Sequence, residues 1–242
     1  MVLRLDRILS SQGIATRKTA HHLIRSGKVM IDGLVICDPS QKINPSLCEI
    51  SVNGNIIRYS RYIYIMMNKP AGYLCVSRDP KAPTVIDLLP ETMRRPGLFP
   101  AGRLDKDTVG LVIITDDGDF AHRMLSPKNN VVKRYRAIID NPIGDKEIAV
   151  FANGTCLRDG TVCRPAELRI IKACTDTHEG NQLVEVATTE GRYHQVKRMF
   201  GAVKSTVLWL KRISIGNLKP IPDLKEGGYR ELTQNEIDLI FE

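Results

Sequence analysis

The chain has 242 residues, of which 43% are hydrophobic and 26% charged, so it can form a sizeable packed core and is not expected to be disordered. No apolar run approaches the ~20 residues that span a bilayer, and the first residues lack the apolar stretch of a secretory signal. These features exclude a membrane protein from our expectations and predict a cytoplasmic one.

The positive charge is unevenly distributed along the chain. The net charge is +8, and residues 1–61 carry nine Lys and Arg against four Asp and Glu, whereas the remainder carries 26 against 23. A small basic head on a nearly balanced body is typical of a polyanion-binding module attached to a second domain. Charge alone does not separate this reading from a basic protein without such a partner.

The cysteines give no sign of a metal site. None of them forms a C-x-x-C pair, so we expect free thiols and no zinc or iron–sulfur centre; they are Cys37, Cys48, Cys75, Cys156, Cys163 and Cys174.

The N-terminal segment predicts a helix, a turn, a second helix and a hairpin. Apolar residues at helical spacing follow Arg4, Thr16 can cap the second helix, and Gly27 can end it. The pair Asp32-Gly33 between two β-prone runs is a strong hairpin signal. The basic residues of this segment could form a solvated face or an RNA contact; they are Arg4, Arg7, Arg17, Lys18, Arg25 and Lys28.

This compact unit resembles the S4 RNA-binding domain. The resemblance rests on the order of elements and on the residue run from Thr16 to Gly33. It implies contacts to the RNA backbone, made through shape and phosphates rather than by base reading. A second turn pair, Asn53-Gly54, precedes a change in the sequence pattern near Arg58–Tyr62. We therefore predict an S4-like domain over residues 1–59 and a second domain over 62–242.

The second domain is expected to contain mostly strands. No regular βα alternation or repeat is present, so we predict an α+β fold around a largely antiparallel mixed sheet. A short helix is predicted at residues 119–125. Strands are predicted at Tyr62–Met67, Leu111–Ile114, Lys133–Ile139, Leu183–Thr188, and near residues 168–171, 206–210 and 213–216.

Three segments could carry chemistry. Residues 101–111 combine two carboxylates, two cations and flanking glycines before an apolar strand, although a polar turn of this kind is often structural. Residues 133–136 open a strand with cations around a tyrosine, and residues 190–200 place four cationic or imidazole groups among aromatic residues. Aromatic rings interleaved with Arg and Lys suit a stacked, flipped base and bound phosphates.

These segments resemble the pseudouridine synthases of the RsuA and RluA superfamily, over nearly the whole chain. The motifs, in chain order, are Asn68-Lys69-Pro70-x-Gly72, Gly102-Arg103-Leu104-Asp105-x-Asp107-Thr108-x-Gly110-Leu111, Lys133-x-Tyr135 and the run from Gly191 to Met199. Val76-x-x-Asp79-Pro80 and Val196–Phe200 look most like the small-subunit ribosomal RNA branch, with the large-subunit branch as the nearest rival. Lys204-Ser205 departs from the family, which usually has Gly and a polar residue there.

The resemblance implies the roles of the site residues. Asp105 is the essential aspartate, which attacks carbon or removes the C2′ proton; Tyr135 stacks on the uracil; Arg192 pairs with Asp105. Arg103 is expected to fill the space of the flipped nucleotide, while Asp107 and Thr108 shape the loop through side-chain-to-backbone hydrogen bonds. Further RNA contacts are expected from Lys133, His194, Lys197 and Arg198. No cofactor or metal is implied.

Two other classes of protein compete with the pseudouridine synthase interpretation. Asp105-Lys106-Asp107-Thr108-Val109 fits the motif of the haloacid-dehalogenase-type phosphatases, which follows a strand and needs Mg²⁺, but the residues from Phe99 to Leu104 do not read as a strand. A non-catalytic S4-type assembly factor has no need of the acidic Asp105 at an RNA-facing site. The expected activity is isomerisation of a uridine in ribosomal RNA, by a monomer acting on free RNA or on a partly assembled subunit.

Overall fold

The computed structural model describes residues 1–173 and 181–242. It divides into two compact units, one formed by Met1–Ile63 with Leu89–Leu98 and the other by Tyr64–Leu88 with Phe99–Glu242. The domain bounds 1–59 and 62–242 stay a prediction, and Cys174 lies outside the described residues. Among the described residues, no helix is long and apolar enough to cross a membrane.

The first unit consists of two short helices and small strands, as the sequence predicts for an S4 domain. The helices are α1 (Leu5–Ser11) and α2 (Arg17–Arg25). The strands are β1 (Leu3–Arg4), β2 (Val29–Ile31), β3 (Leu34–Val35), β4 (Lys42–Ile43), β5 (Ile50–Val52) and β6 (Asn55–Ile57). Strand β1 pairs with β4, and the other four form an antiparallel sheet in the order β3-β2-β5-β6.

Local sequence chemistry explains these boundaries. The Thr16 hydroxyl accepts a hydrogen bond from the Thr19 amide and caps α2 as predicted. The first hairpin turns at Asp32-Gly33 with φ of 48° and 80°, and the second at Asn53-Gly54 with φ of 50° and 79°. Positive φ at both central residues is the geometry of a type I′ hairpin turn, which these residue pairs favour.

The second unit is built on one large sheet. Its strands are β7 (Tyr64–Lys69), β8 (Phe99–Ala101), β9 (Val109–Thr115), β10 (Lys133–Ile139), β11 (Glu167–Ala173), β12 (Gln182–Thr188), β13 (Val207–Ile215) and β14 (Tyr229–Glu231). The strand order is β11-β12-β10-β13-β9-β7-β14, with β8 paired to β9. Every pairing is antiparallel except that of β9 with β13, which confirms the predicted, largely antiparallel mixed sheet.

The structure corrects two details of the strand assignment. Residues 206–210 and 213–216 were expected to be separate strands, but they belong to the single strand β13, whose register against β10 is interrupted by two irregularities. Phe99–Ala101 is a strand, although Pro100 argues against one; within the described part of the chain β8 pairs only with β9, so the proline lies on an edge strand.

Helices and apolar side chains pack on this sheet. The helices are α3 (Gly118–Leu125), α4 (Asp145–Asn153), α5 (Gln195–Ala202) and α6 (Gln234–Asp238). Strand β9 is buried along its whole length, and its residues Leu111 and Ile113 pack in one apolar cluster with Phe120 and Met124 of α3. This rigid strand follows the loop that carries Asp105, so the fold holds that loop at one end of a fully packed element.

Candidate active site

Asp105 lies on the loop of residues 102–108 between β8 and β9. Its neighbours Leu104 and Thr108 are buried, whereas Arg103, Lys106 and Asp107 are exposed. The Asp105 side chain is 22% exposed, so the carboxylate faces solvent from a partly enclosed position.

A buried lysine holds this loop from behind. The Lys69 ammonium, at the end of β7, donates to the carbonyl oxygens of Pro70 (3.0 Å), Lys106 (3.1 Å) and Thr108 (2.8 Å). Burial lowers the pKa of Lys69. Three carbonyl dipoles therefore solvate a cation inside the protein, and two of them belong to the Asp105 loop, which fixes the backbone there.

A buried arginine fixes the start of the same loop. Arg212, on β13, donates from Nε to the carbonyl oxygen of Leu111 at 2.7 Å and from Nη2 to that of Gly102 at 3.2 Å. Gly110 adopts a φ of 101°, and a Cβ there would lie 2.3 Å from the carbonyl oxygen of Arg212. The close approach of β9 and β13 thus requires glycine at position 110. No sequence pattern marks Lys69 and Arg212 as residues that hold this loop, although Lys69 lies in the motif Asn68-Lys69-Pro70.

The partners of Asp105 come from the start of α5. His194 Nε2 lies 3.4 Å from Oδ1 of Asp105, and Lys197 Nζ lies 3.4 Å from Oδ2. Lys197 also contacts both oxygens of Asp107, at 2.7 and 2.8 Å. His194 has a left-handed backbone, with φ of 46°, just before the helix begins. This turn and the first helical turn bring both side chains to the carboxylate.

Hydrogen bonds and charge shift the pKa values of this ion cluster. The hydrogen bond from Lys197 lowers the pKa of Asp107. Burial opposes the charged form of Lys197, but the hydrogen bond to Asp107 and the nearby Asp105 together raise the pKa of its ammonium. Lys197 is therefore a firmly charged group that links the two carboxylates of the loop.

The structure does not contain the expected ion pair between Arg192 and Asp105. Arg192 Nη2 instead lies 3.4 Å from Oε1 of Glu190, and the Arg192 amide donates to Gln195 Oε1 at 2.8 Å. Glu190 is buried and also accepts a hydrogen bond from Gln195 Nε2. Arg192 thus pairs with the buried carboxylate of Glu190, two residues before it. The position next to Asp105 is occupied by Lys197, which was predicted only as an RNA contact.

Asp105, Tyr135 and Arg192 nevertheless line one pocket. Tyr135 is buried on β10, where its register partners are Val186 on β12 and Arg212 on β13. The chain segments that the sequence singled out as carriers of chemistry thus meet at one place; the lining residues include Arg103, Asp105, Tyr135, Arg192, His194 and Lys197.

Thr108 also lines this pocket, and its hydroxyl differs from the expectation. Thr108 is 2% exposed. Within residues 1–173 and 181–242, its Oγ1 makes no hydrogen bond, and Asp107 directs both of its oxygens to Lys197. The predicted shaping of the loop by the Thr108 hydroxyl is therefore wrong, since Lys69 supplies that order.

Lys133 is not placed as an RNA contact. It is 4% exposed, and its ammonium donates to the carbonyl oxygen of Met124 at 3.0 Å. Burial, with a smaller contribution from the nearby Arg212, lowers the pKa of Lys133 to about 8. The residue shares the inner face of β10 with Tyr135, because side chains two apart on a strand point the same way.

The other predicted RNA contacts reach the surface. In the second unit, Arg103 is exposed and the half-buried Arg198 forms an ion pair with Asp159. Of the contacts predicted in the first unit, Arg7, Arg17, Lys18, Arg25 and Lys28 are exposed, and Arg4 is half-buried.

A buried carboxylate organises part of the basic surface of the first unit. Asp6 is fully buried and accepts from Nε and Nη2 of Arg4 at 3.1 and 2.8 Å. His21 Nε2 lies 2.8 Å from its Oδ2, and Arg17 Nε lies 3.8 Å away. The hydrogen bond from Arg4 holds the pKa of Asp6 well below its usual range. One acidic side chain of α1 therefore fixes basic groups from α2 and from the residue before α1.

Comparison with known proteins agrees with this geometry. The family model described as RNA pseudouridylate synthase matches residues 63–202, and that of the S4 domain matches residues 3–47. The chain belongs to the RNA pseudouridylate synthase family. It is 41% identical over 241 residues to an uncharacterized RNA pseudouridine synthase of Bacillus subtilis (strain 168), which covers 99% of both chains.

Two further relatives support the same assignment. The ribosomal small subunit pseudouridine synthase A of Escherichia coli (strain K12) is 38% identical over 237 residues, covering 97% of this synthase and 98% of the relative. A crystal structure described as pseudouridylate synthase superposes with a TM-score of 0.65 at 35% identity, covering 98% and 99% of the two chains. The recognition of an S4 head on a pseudouridine synthase body is confirmed, and the protein is an RNA pseudouridine synthase.

Proposed function

We propose that this synthase converts a uridine of small-subunit ribosomal RNA to pseudouridine, with Asp105 as the catalytic carboxylate. The observation that carries the proposal is the placement of Asp105 between His194 and Lys197, at 3.4 Å from each, in the same pocket as Tyr135. The small-subunit substrate is suggested by the names of the relatives from Escherichia coli and Yersinia pestis, which are 38% and 39% identical.

The chemistry is an isomerisation that needs no net exchange of atoms with a cofactor. The N1–C1′ bond breaks, the freed uracil turns within the pocket, C5 bonds to C1′, and the C5 proton leaves to solvent while N1 gains one. Asp105 either attacks the sugar or base covalently or removes the C2′ proton so that a glycal forms. Either route requires an ionised and correctly directed carboxylate.

Lys197 and His194 supply that direction in our proposal. Each contacts a different oxygen of Asp105, so the carboxylate plane is fixed from two sides. Lys69 and Arg212 hold the backbone that presents this carboxylate. Positioning of this kind can lower the activation free energy of a reaction by several kcal/mol.

Other pocket residues hold the target nucleotide. Tyr135 offers a ring against which the uracil can stack, and the buried Thr108 hydroxyl is free to donate to or accept from the nucleotide. The exposed Arg103, two residues before Asp105, is positioned to fill the space left by the flipped base. Arg192, half-exposed beside Glu190, serves as a contact to the RNA rather than as the partner of Asp105.

The S4 unit contributes affinity for the RNA backbone. Its exposed cations suit phosphates, which need charge and not a particular base. We further propose a monomer that acts in the cytoplasm, on free ribosomal RNA or on a partly assembled subunit.

The proposal is tested by tritium release from ribosomal RNA labelled at C5 of uridine. Because isomerisation expels the C5 hydrogen, purified protein should release tritium from small-subunit RNA in an amount equal to one site per molecule. The Asp105→Asn variant should release none. Release only from large-subunit RNA would show that the substrate is large-subunit RNA, as in the rival branch of the family. Equal release by the variant would contradict the assignment of Asp105.

A further inference from the structure

We infer that a cationic cleft beside the catalytic pocket binds a second nucleotide of the RNA strand, adjacent to the target uridine. The inference rests on the proposed function, because the target uridine defines where the strand begins its path. The cleft has a volume of about 380 Å³, within the ~300–1,000 Å³ of typical small-molecule sites. Its lining includes four basic or imidazole side chains, those of Arg158, His194, Lys197 and Arg198.

The charge of the cleft suits a phosphate. In the part of the chain that the structure describes, none of the lining residues is acidic. Arg158 is exposed and donates from Nη2 to the carbonyl oxygen of Gly201 at 3.5 Å, and it forms no ion pair with any residue in the ranges 1–173 and 181–242. Arg198 is held in place by its ion pair with Asp159. A guanidinium beside a fixed second one is an arrangement that favours a phosphate oxygen.

Part of the lining of the cleft is held in place by hydrogen bonds. This part contains Ser205, Thr206 and Val207, which follow α5 and lie beside the loop after β10. Ser205 Oγ donates to the carbonyl oxygen of Asn141 at 2.9 Å, and the Thr206 amide donates to Asp140 Oδ1 at 2.7 Å. Lining residues that are ordered before binding lower the entropic cost of holding a ligand.

The cleft is continuous with the catalytic pocket. His194 and Lys197 line both, and each contacts Asp105 from the pocket side at 3.4 Å. The two spaces therefore meet at the side chains of His194 and Lys197. A strand whose uridine has left the base stack and entered the pocket continues past these two side chains, so its next nucleotide meets the cleft.

Part of the cleft is apolar and open to a base. Val207 contributes an apolar side chain, and Gly201 on α5 has no side chain at all. A Cβ added at Gly201 would meet nothing within 4 Å, so the space beside the helix is free. A flat base can enter such a space while its phosphate lies against Arg158, which makes a nucleotide a better fit than a lone anion.

The test measures dissociation constants for a short RNA that carries the target uridine. Each of the three phosphates on either side is replaced in turn by a neutral methylphosphonate, and each flanking base in turn by an abasic nucleotide. Wild-type protein should lose roughly tenfold in affinity at one phosphate, and the salt slope should fall by about one. Arg158→Gln should bind the unmodified RNA roughly tenfold more weakly and should no longer respond to that phosphate.

A second variant tests the cleft without removing a charge. Gly201→Leu fills the free space from a helical position, where leucine is favoured over glycine, so its fold should be retained. The affinity of Gly201→Leu should not fall further when the adjacent base is removed from the RNA, whereas the affinity of the smaller Gly201→Ala should fall as it does for wild type. Arg136→Gln, which removes an exposed cation from the opposite face of β10, serves as the control and should behave as wild type throughout.

The outcomes separate the cleft from the proposed function. Failure of the wild-type protein and of Arg136→Gln to isomerise any uridine overturns the proposed function itself. If the wild-type protein and Arg136→Gln both isomerise the uridine, the second-nucleotide site is tested by the dissociation constants alone. It is overturned when Arg158→Gln and Gly201→Leu lose as much affinity as wild type at every modified phosphate and every abasic nucleotide. The site is also overturned if all flanking methylphosphonates weaken binding equally and weaken it just as much in Arg158→Gln.

Discussion

Replacement of Thr108 by valine should separate the stability of the protein from its catalysis. Thr108 is 2% exposed, and its Oγ1 makes no hydrogen bond within the described residues. A buried polar group left without a partner costs ~1–3 kcal/mol, so valine should leave the free energy of unfolding unchanged or raise it by up to ~1 kcal/mol. For a chain of this size, that corresponds to a melting temperature ~2–4 °C higher.

The same change should impair the reaction. If the Thr108 hydroxyl bonds to the target nucleotide, its loss removes ~0.5–1.5 kcal/mol of stabilisation, which lowers kcat/KM by roughly 2- to 13-fold. The assay combines chemical denaturation with isomerisation kinetics, and Thr108→Ser should retain most of the activity. The matched control is Thr155→Val, because Thr155 is fully buried with an equally unbonded hydroxyl outside the pocket.

Two results would refute the reasoning. Wild-type kcat/KM in Thr108→Val would show that the hydroxyl does not touch the substrate. A fall in the free energy of unfolding by more than ~1 kcal/mol, beyond any change in Thr155→Val, would show that the hydroxyl has a structural role in the folded protein.

Further predictions concern charged groups. Lys197→Gln should lower the single-turnover rate more than tenfold, a barrier increase above ~1.4 kcal/mol, and Lys197→Arg should recover most of it; an unchanged rate in the glutamine variant would be contrary evidence. Because the pKa of Asp6 is lowered on folding by the hydrogen bond from a neighbouring arginine, its contribution to stability is present above about pH 4 and is lost as the pH falls below that value. Denaturation of wild type at pH 5 and pH 2.5 should show this loss, and Asp6→Asn should reduce it; identical pH dependence would contradict the role of the carboxylate. The double variant Arg17→Gln with Lys18→Gln should reduce the salt dependence of RNA binding by a slope of roughly two, and an unchanged slope would exclude these two residues as phosphate contacts.

Elements determined by local chemistry were predictable from the sequence. The turns at Asp32-Gly33 and Asn53-Gly54 need positive φ at both residues, and the amino acids that tolerate it are few. The cap at Thr16 and the alternation along Lys133–Ile139 likewise depend on near neighbours. The chemistry-bearing segments were recognised because their motifs match those of a known family in the same order along the chain.

Burial and side-chain direction were not predictable. Lys69, Lys133 and Arg212 are cations inside the protein, and a sequence pattern marks such residues as surface groups by default. The exchange of Arg192 for Lys197 as the partner of Asp105 depends on the left-handed turn at position 194, which rotates the start of α5 toward the loop. These features follow from tertiary geometry, which local propensity does not encode.

The central claim is tested most directly by mapping pseudouridine across the ribosomal RNA of cells that lack this protein. The account predicts the loss of one pseudouridine in the small-subunit RNA, its return when the wild-type protein is supplied, and its continued absence when Asp105→Asn is supplied at the same level. An unchanged map in the cells that lack the protein, or full restoration by Asp105→Asn, would contradict it.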